Sequence, residues 1–134
     1  MDIELKKLKQ VKDSRGVIVE LLRRAQLDDM NFGHLFYVNF KDKKAIRGNH
    51  YHKKTHEYYF VLQGKISVEL VDVKSKKKRK IIMDKKDGKL LRIGPYVAHA
   101  SKSFSKDTIL LAYDTLPYNL ENPDTFEQII LKWK

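Results

Sequence analysis

Apolar and polar residues alternate in short runs along most of the chain, and a turn signal closes almost every run. Residues 34 to 40, HLFYVNF, interleave large apolar side chains with smaller or polar ones, the period-two pattern of a strand with one covered face. Comparable runs occupy 17 to 22, 58 to 62, 66 to 73, 80 to 83, 90 to 93, 108 to 113 and 126 to 131. Gln63-Gly64, Asp87-Gly88 and Gly94-Pro95 separate several of them. Residues 1 to 9 alternate weakly and predict an edge strand. Lys12 to Gly16 predict a turn, because Asp13 and Ser14 can bond nearby backbone groups and Gly16 can take a positive φ. Residues 23 to 31 are polar and irregular, with room for one helical turn, and LPYNLENPD at 116 to 124 is a loop. Sustained helical periodicity, internal repeats and linkers are absent. The pattern predicts an all-β protein, a small barrel or jelly roll forming one domain over 1 to 134, with inward side chains around a central pocket.

Composition removes some functions and leaves others. The 134 residues contain no cysteine, which excludes disulfides and thiolate metal sites. No apolar run approaches the roughly 18 residues of a membrane span, and MDIELKKLKQ carries charges where a signal peptide is apolar. The expectation is a cytoplasmic protein without a membrane partner. A formal net charge of +11 favours anionic ligands. The lysines are scattered, however, and the densest run, KSKKKRK at 74 to 80, has no interleaved aromatic residue for base stacking. A solvated hairpin loop is expected there rather than a nucleic-acid interface.

Candidate chemistry concentrates in residues 46 to 64, IRGNHYHKKTHEYYFVLQG. His50 and His52 are two apart in a strand-like context, so both imidazoles should share a face. Glu57 follows, and His99 ends a second stretch, GKLLRIGPYVAHA. Three imidazoles and a carboxylate suit a divalent transition metal, though the same groups could line a metal-free polar pocket. His56 should point away from Glu57, and His34, with no local partner, reads as structural.

The pattern H-x-H-x4-E-x6-G, carried by His50, His52, Glu57 and Gly64 with Gly48 before it, resembles the first cupin motif. Gly94, Pro95, Tyr96, Val97, Ala98 and His99 stand where a second motif would read P-x-G-x-x-H, with the histidine kept and the turn rewritten. D-S-R-G at 13 to 16, R-G-N-H-Y-H at 47 to 52 and N-P-D-T-F-E at 122 to 127 narrow the likeness. The chain resembles the C-terminal cupin domain of capsular-polysaccharide sugar enzymes and, more distantly, dTDP-4-keto-6-deoxyhexose 3,5-epimerases and 3,4-ketoisomerases.

That resemblance implies proton abstraction next to the ketone of a nucleotide-activated 4-keto-6-deoxysugar, by an epimerase or ketoisomerase of surface-polysaccharide biosynthesis. His50 matches the catalytic histidine of the epimerase R-G-x-H motif, and His52 the second histidine of the ketoisomerase R-G-x-H-x-H motif. The same residues, with Glu57 and His99, are the expected ligands of a divalent metal. Zinc is the first choice, iron, manganese or nickel are compatible, and no organic cofactor is expected. A ligating histidine is not free to act as base, and both assignments stay open. Arg15 matches a nucleotide-contacting arginine region, and Arg47 could hold a phosphate or an enolate. Tyr59 shares strand parity with Glu57 and is a candidate substrate contact. Tyr113 is a candidate proton donor. A homodimer is expected. The alternative is a non-catalytic sugar- or metabolite-binding cupin, or one subunit of a two-protein enzyme with a reductase as partner.

Overall fold

The computed structural model describes residues 1–27 and 32–132, and its regular structure is β. In chain order the strands are β1 (Ile3–Lys7), β2 (Gln10–Asp13), β3 (Gly16–Val19), β4 (His34–Phe40), β5 (Ile46–Tyr51) and β6 (Glu57–Gln63). They continue with β7 (Lys65–Asp72), β8 (Lys78–Asp84), β9 (Lys89–Ile93), β10 (Val97–Ser103), β11 (Thr108–Asp114) and β12 (Phe126–Glu127). One five-stranded sheet has the order β1-β9-β6-β11-β4, a second has β12-β5-β10-β7-β8, and β2-β3 form a separate hairpin. The two larger sheets make the jelly-roll sandwich that the alternation predicts. The helical turns among the described residues are 3-10 turns at Arg24–Leu27 and Lys85–Asp87, and no described helix is long and apolar enough to cross a membrane.

The core lies between the inner faces of the sheets, where Phe40, Ile66, Leu70, Met83, Leu91 and Ile93 are all but inaccessible. Each such side chain contributes about 1.5–3 kcal/mol through removal from water. β6 is buried on both sides. Tyr59 and Val61 enter this core, while Tyr58 and Phe60 pack outward against a second cluster with Leu8, Leu90 and Tyr113. Val19, Leu21, Leu22 and Leu27 lie over that outer cluster.

The cover accounts for one departure from expectation. The strand predicted over 17 to 22 ends at Val19, because the chain leaves its hairpin to lay leucines across the outer face. The irregular segment 23 to 31 opens with the Arg24–Leu27 turn, and residues 28–31 lie outside the described residues. The strand predicted over 126 to 131 stops after Glu127. Beyond it, the Asn49 side-chain oxygen accepts from the amides of Ile130 and Leu131, so this stretch is tied to a side chain rather than to a ladder.

One irregularity sets up the site. Opposite β10, Ala100 pairs with Gly48 and His99 with His50, leaving Asn49 as an extra residue in β5. This is a β-bulge, with Gly48 at φ 100° and Asn49 at φ 57°. It reverses the alternation, so that Arg47, opposite Ser101, and His50, opposite His99, share one side of the strand. A Cβ on Gly48 would come within 2.6 Å of the His99 carbonyl oxygen. Gly48→Ala is therefore expected to cost about 1–3 kcal/mol, read as a lower urea midpoint. An unchanged midpoint would show that the bulge is not constrained at this residue.

Candidate functional site

β5, β6 and β10 bring the sequence-predicted quartet together. Each of His50, His52, Glu57 and His99 offers one donor atom, and these atoms lie within 4.8 Å of one another. The rings of His50 and His99 are 4.8 Å apart, those of His50 and His52 5.1 Å, and those of His52 and His99 5.5 Å. His52, Glu57 and His99 are buried, and His50 is half-buried. The rewritten turn before His99 keeps its geometry because Tyr96 takes φ 60°, the left-handed conformation that the motif's glycine would provide. Its amide donates to the His52 carbonyl at 2.7 Å.

The second ring nitrogens define what the cluster presents. His52 Nδ1 lies 2.6 Å from the Asp124 carbonyl, and His99 Nδ1 lies 3.0 Å from that of Val97. A carbonyl only accepts, so both rings carry the proton on Nδ1 and turn Nε2 inward. There His99 Nε2 stands 3.1 Å from Glu57 Oε1, and His52 Nε2 stands 3.8 Å from Glu57 Oε2. His52 Nε2, His99 Nε2 and Glu57 Oε1 are buried without a hydrogen-bond partner. Neutral rings would aim lone pairs at a carboxylate, a repulsive arrangement that a cation between them relieves. That cation is a proton held on a ring or a metal.

The residues fit a metal. Ligand bonds of about 2.1 Å set donors roughly 3.4 Å apart in a tetrahedral site and up to about 4.2 Å apart across an ion, so donor atoms spread over as much as 4.8 Å would close in on binding. Three imidazoles and one carboxylate suit a first-row divalent ion.

The surroundings set the charges. Burial pushes the Glu57 carboxyl upward, but the adjoining His52 and His99 rings and Asp114 outweigh it and hold the group well below the usual carboxylate range. Asp114 is pushed up to about 10 by burial and by Glu57 itself, so it carries the proton shared by the pair. Burial lowers the His52 ring, but Glu57 overrides this and raises it. His50 is pushed down to about 4, first by burial and then by the neighbouring His99.

The remaining predicted residues divide. Tyr59 faces inward as parity requires, edge-on to His99 with centroids 6.2 Å apart. Burial first, and then the Glu57 charge and hydrogen bond, raise its hydroxyl well above its usual range. It braces Glu57 from within the core. Tyr113 stands apart from the quartet. It belongs to the outer cluster, its hydroxyl accepts from the Gly33 amide at 3.1 Å, and the sheet separates it from Glu57. The physical reason is parity, since Asp114, the next residue, is the one that faces inward beside Glu57. Arg47 is exposed, on the His50 side of β5, without an ion-pair partner among the described residues. Arg15 is at the exposed hairpin tip, paired with Asp13 at 2.7 Å and not joined to the cluster. His56 points outward as expected, with Nδ1 3.3 Å from an Arg92 guanidinium nitrogen.

Sequence reasoning missed two residues, Asp114 and Asp124. Asp114 pairs in register with both Glu57 and His34, and His34 Nδ1 lies 4.0 Å from Asp114 Oδ2, so His34 does have a partner. Asp124 holds His52 from the C-terminal loop. The alternation of β11 puts Tyr113 and Asp114 on opposite faces without saying which is inward. No local signal could have placed Asp124 beside a residue 72 positions away.

In chelator-treated protein the depressed His50 pKa has a defined consequence. The unfolded ring binds its proton near 6.5 and the folded ring near 4, so stability is full above about 6.5 and is lost as pH falls toward about 4. The raised His52 pKa acts in the opposite sense and only above its ordinary value. Urea midpoints of the wild type should fall more steeply through the acidic window than those of His50→Gln. Parallel profiles would contradict a buried neutral His50.

Known proteins supply an independent comparison. The model of the family FdtA, described as WxcM-like, C-terminal, matches residues 1–128. No curated protein matches the chain in sequence. Among solved structures it is similar to a mutant of the 3,4-ketoisomerase QdtA from Thermoanaerobacterium thermosaccharolyticum in complex with TDP-4-keto-6-deoxyglucose. The TM-score is 0.80 at 22% identity, covering 95% of this chain and 88% of that one. A 3,4-ketoisomerase from Helicobacter canadensis gives a TM-score of 0.82 at 20% identity, covering 96% and 92%. A dTDP-4-dehydrorhamnose 3,5-epimerase from Bacillus anthracis with TDP and PPi bound gives 0.81 at 20% identity, covering 92% and 77%. At these identities the structures establish a shared cupin-type fold.

Proposed function

The chain belongs to the FdtA family of WxcM-like C-terminal domains, and from that premise we propose that it is a metal-binding sugar-nucleotide isomerase or epimerase. Its substrate would be a nucleotide-activated 4-keto-6-deoxysugar, handled in the cytoplasm for surface-polysaccharide biosynthesis. The observation that carries this reading is the convergence of His50, His52, His99 and Glu57, with inward atoms of the last three that lack hydrogen-bond partners among the described residues. The related folds that bind TDP or a TDP-linked keto-sugar support the substrate class.

His50, His52, Glu57 and His99 would hold the ion, zinc by first choice. When bound there, it supplies Lewis-acid stabilisation of the oxyanion that develops on the sugar ketone. The protein's own groups do the rest. Proton removal from the carbon beside the ketone needs a base with a pKa near neutrality. Where no ion is held, His52, raised by Glu57, meets that need better than His50, which is depressed to about 4; as a ligand it would not be free to do so. Returning the proton to the opposite face of the same carbon is epimerisation, and returning it to the neighbouring carbon moves the ketone. Arg47, without an ion-pair partner among the described residues and on the histidine side of β5, would take an anionic group of the nucleotide or the enolate. Arg15 would reach a nucleotide only from the hairpin tip. The 3.1 Å His99–Glu57 separation favours a second reading, in which the pair shares a proton and the site works without metal.

A homodimer fits the outer face of the β1-β9-β6-β11-β4 sheet. Leu35 and Tyr37 on β4 are 56% and 67% exposed there, and Val11, Val17 and Ile18 are exposed on the hairpin. A cavity of about 640 Å³ opens on the same face, between Leu22, Leu27, Phe60 and Leu111. Leu35→Glu with Tyr37→Glu should turn a dimer into a monomer in light scattering, and a monomeric wild type would remove this part of the proposal.

The deciding experiment incubates the protein with TDP-4-keto-6-deoxyglucose in deuterated water and follows the sugar by NMR. Exchange at C3 with ketone migration identifies a ketoisomerase, and exchange at C3 and C5 identifies an epimerase. Binding without exchange would leave a non-catalytic cupin or a subunit that needs a reductase partner. His52→Ala and Glu57→Gln should lower kcat by about 10²–10⁴-fold, whereas Tyr113→Phe should leave it near wild type. Elemental analysis should find about one divalent ion per chain, lost in His52→Ala. Turnover in protein free of metal would favour the proton-sharing reading.

A further inference from the structure

The segment that follows the last long strand closes over the strand that carries His50 and His52. β12 pairs with β5, Phe126 opposite Tyr51 and Glu127 opposite His50, and so covers an edge that β5 would otherwise leave open. Two side chains fasten this strap. At its far end Asn49 accepts from the amides of Ile130 and Leu131 and donates to the Leu131 carbonyl at 3.0 Å. At its near end the Asp124 carboxylate gathers the loop between β5 and β6. Its Oδ1 accepts from the Lys53 amide at 2.9 Å, and its Oδ2 from the amides of Lys54 and Thr55 and from the Thr55 hydroxyl, at 2.8–2.9 Å.

The two ends differ in what they touch. The backbone carbonyl of Asp124 is the group 2.6 Å from His52 Nδ1. Four hydrogen bonds to one carboxylate fix that peptide relative to residues 53 to 55, and so relative to His52 beside them. Charge-assisted bonds to backbone amides are stronger than neutral ones, which makes the carboxylate, not the strap as a whole, the rigid connection.

We propose that Asp124 is a positioning residue for His52: its carboxylate clamps the 53–55 loop and thereby holds its own carbonyl against Nδ1, locking the ring in one tautomer with Nε2 directed at Glu57. His52 needs that lone pair whether it ligates a metal or accepts a proton, so the inference rests on His52 belonging to the site and not on the choice between those roles. Outer groups that orient a ligating histidine in this way set metal affinity as well as ring geometry.

The test reads the ring nitrogens of His52 by heteronuclear NMR of the histidine-labelled full chain. The wild type should show a single Nδ1–H form. Asp124→Ala should give a mixture of tautomers while the core methyl signals of Val68 and Leu70 stay in place. Asp124→Asn, which keeps the shape and one acceptor oxygen, should fall between the two, and it decides the question on the same readout if Asp124→Ala does not fold. Asn49→Gly removes the far fastening and tolerates the positive φ, so it should lower the Tm yet leave the His52 spectrum unchanged. A neutral ring with its proton on Nε2 in the wild type would overturn the proposal. So would a folded Asp124 variant with the wild-type spectrum, or an Asn49→Gly protein whose His52 is disturbed as much as in Asp124→Ala. Zinc titration separates this from the functional reading. Asp124→Ala should bind zinc about 10- to 100-fold more weakly than wild type. A wild type that binds none would defeat the metal assignment and leave the tautomer result standing.

Discussion

The structure depends on one costly placement, the ionised Glu57 carboxylate inside the sandwich. A lone buried charge costs several kcal/mol, so it is tolerated only where partners surround it. Here His52 and His99 approach from the second sheet, protonated Asp114 approaches from β11, and Tyr59 approaches along the same strand. Each partner comes from a different position in the chain, and the fold has to be complete before Glu57 is satisfied. The site and the stability of this end of the sandwich are therefore one problem, with the histidines serving both.

The geometry that answers it rests on irregular features more than on the regular ladders. Gly48 and Asn49 insert an extra residue into β5 and turn Arg47 and His50 to one side. Tyr96 adopts a backbone conformation normally left to glycine and delivers its amide to His52. Asp124 reaches back from the C-terminal loop to hold the residues that follow His52. These features cost local strain or order, and they cluster around the same four side chains. The regular strands supply a rigid frame, with β6 buried on both faces to anchor Glu57 at its start.

Charge adds a second layer. The chain carries an excess of eleven positive charges, yet the pocket itself is built around a carboxylate and three imidazoles. Such a surface attracts anions at long range, and Arg47, on the His50 side of β5, has no ion-pair partner among the described residues. The apolar outer face, with Leu35 and Tyr37 exposed, is separate from this chemistry and on the opposite side of its sheet.

Much of this was legible in the sequence, for reasons that are local. Period-two alternation in HLFYVNF and turn residues at Asp87-Gly88 depend only on near neighbours, so the strands and the all-β class follow from them. His50 and His52, two apart, share a face by geometry, and Glu57 and His56 divide between the faces for the same reason. Tertiary structure decided the rest. Whether Tyr113 or Asp114 faced the pocket turned on a one-residue register that an apolar strand leaves ambiguous, and the pairing with Glu57 chose Asp114. Val17 to Leu22 stopped being a strand at Val19 because an outer sheet face needed its leucines. Asp124, on a loop far along the chain, became the support of His52 only through folding. Alternation encodes which way a side chain points from its own strand, but contact between distant segments is created by packing, and no local pattern carries it.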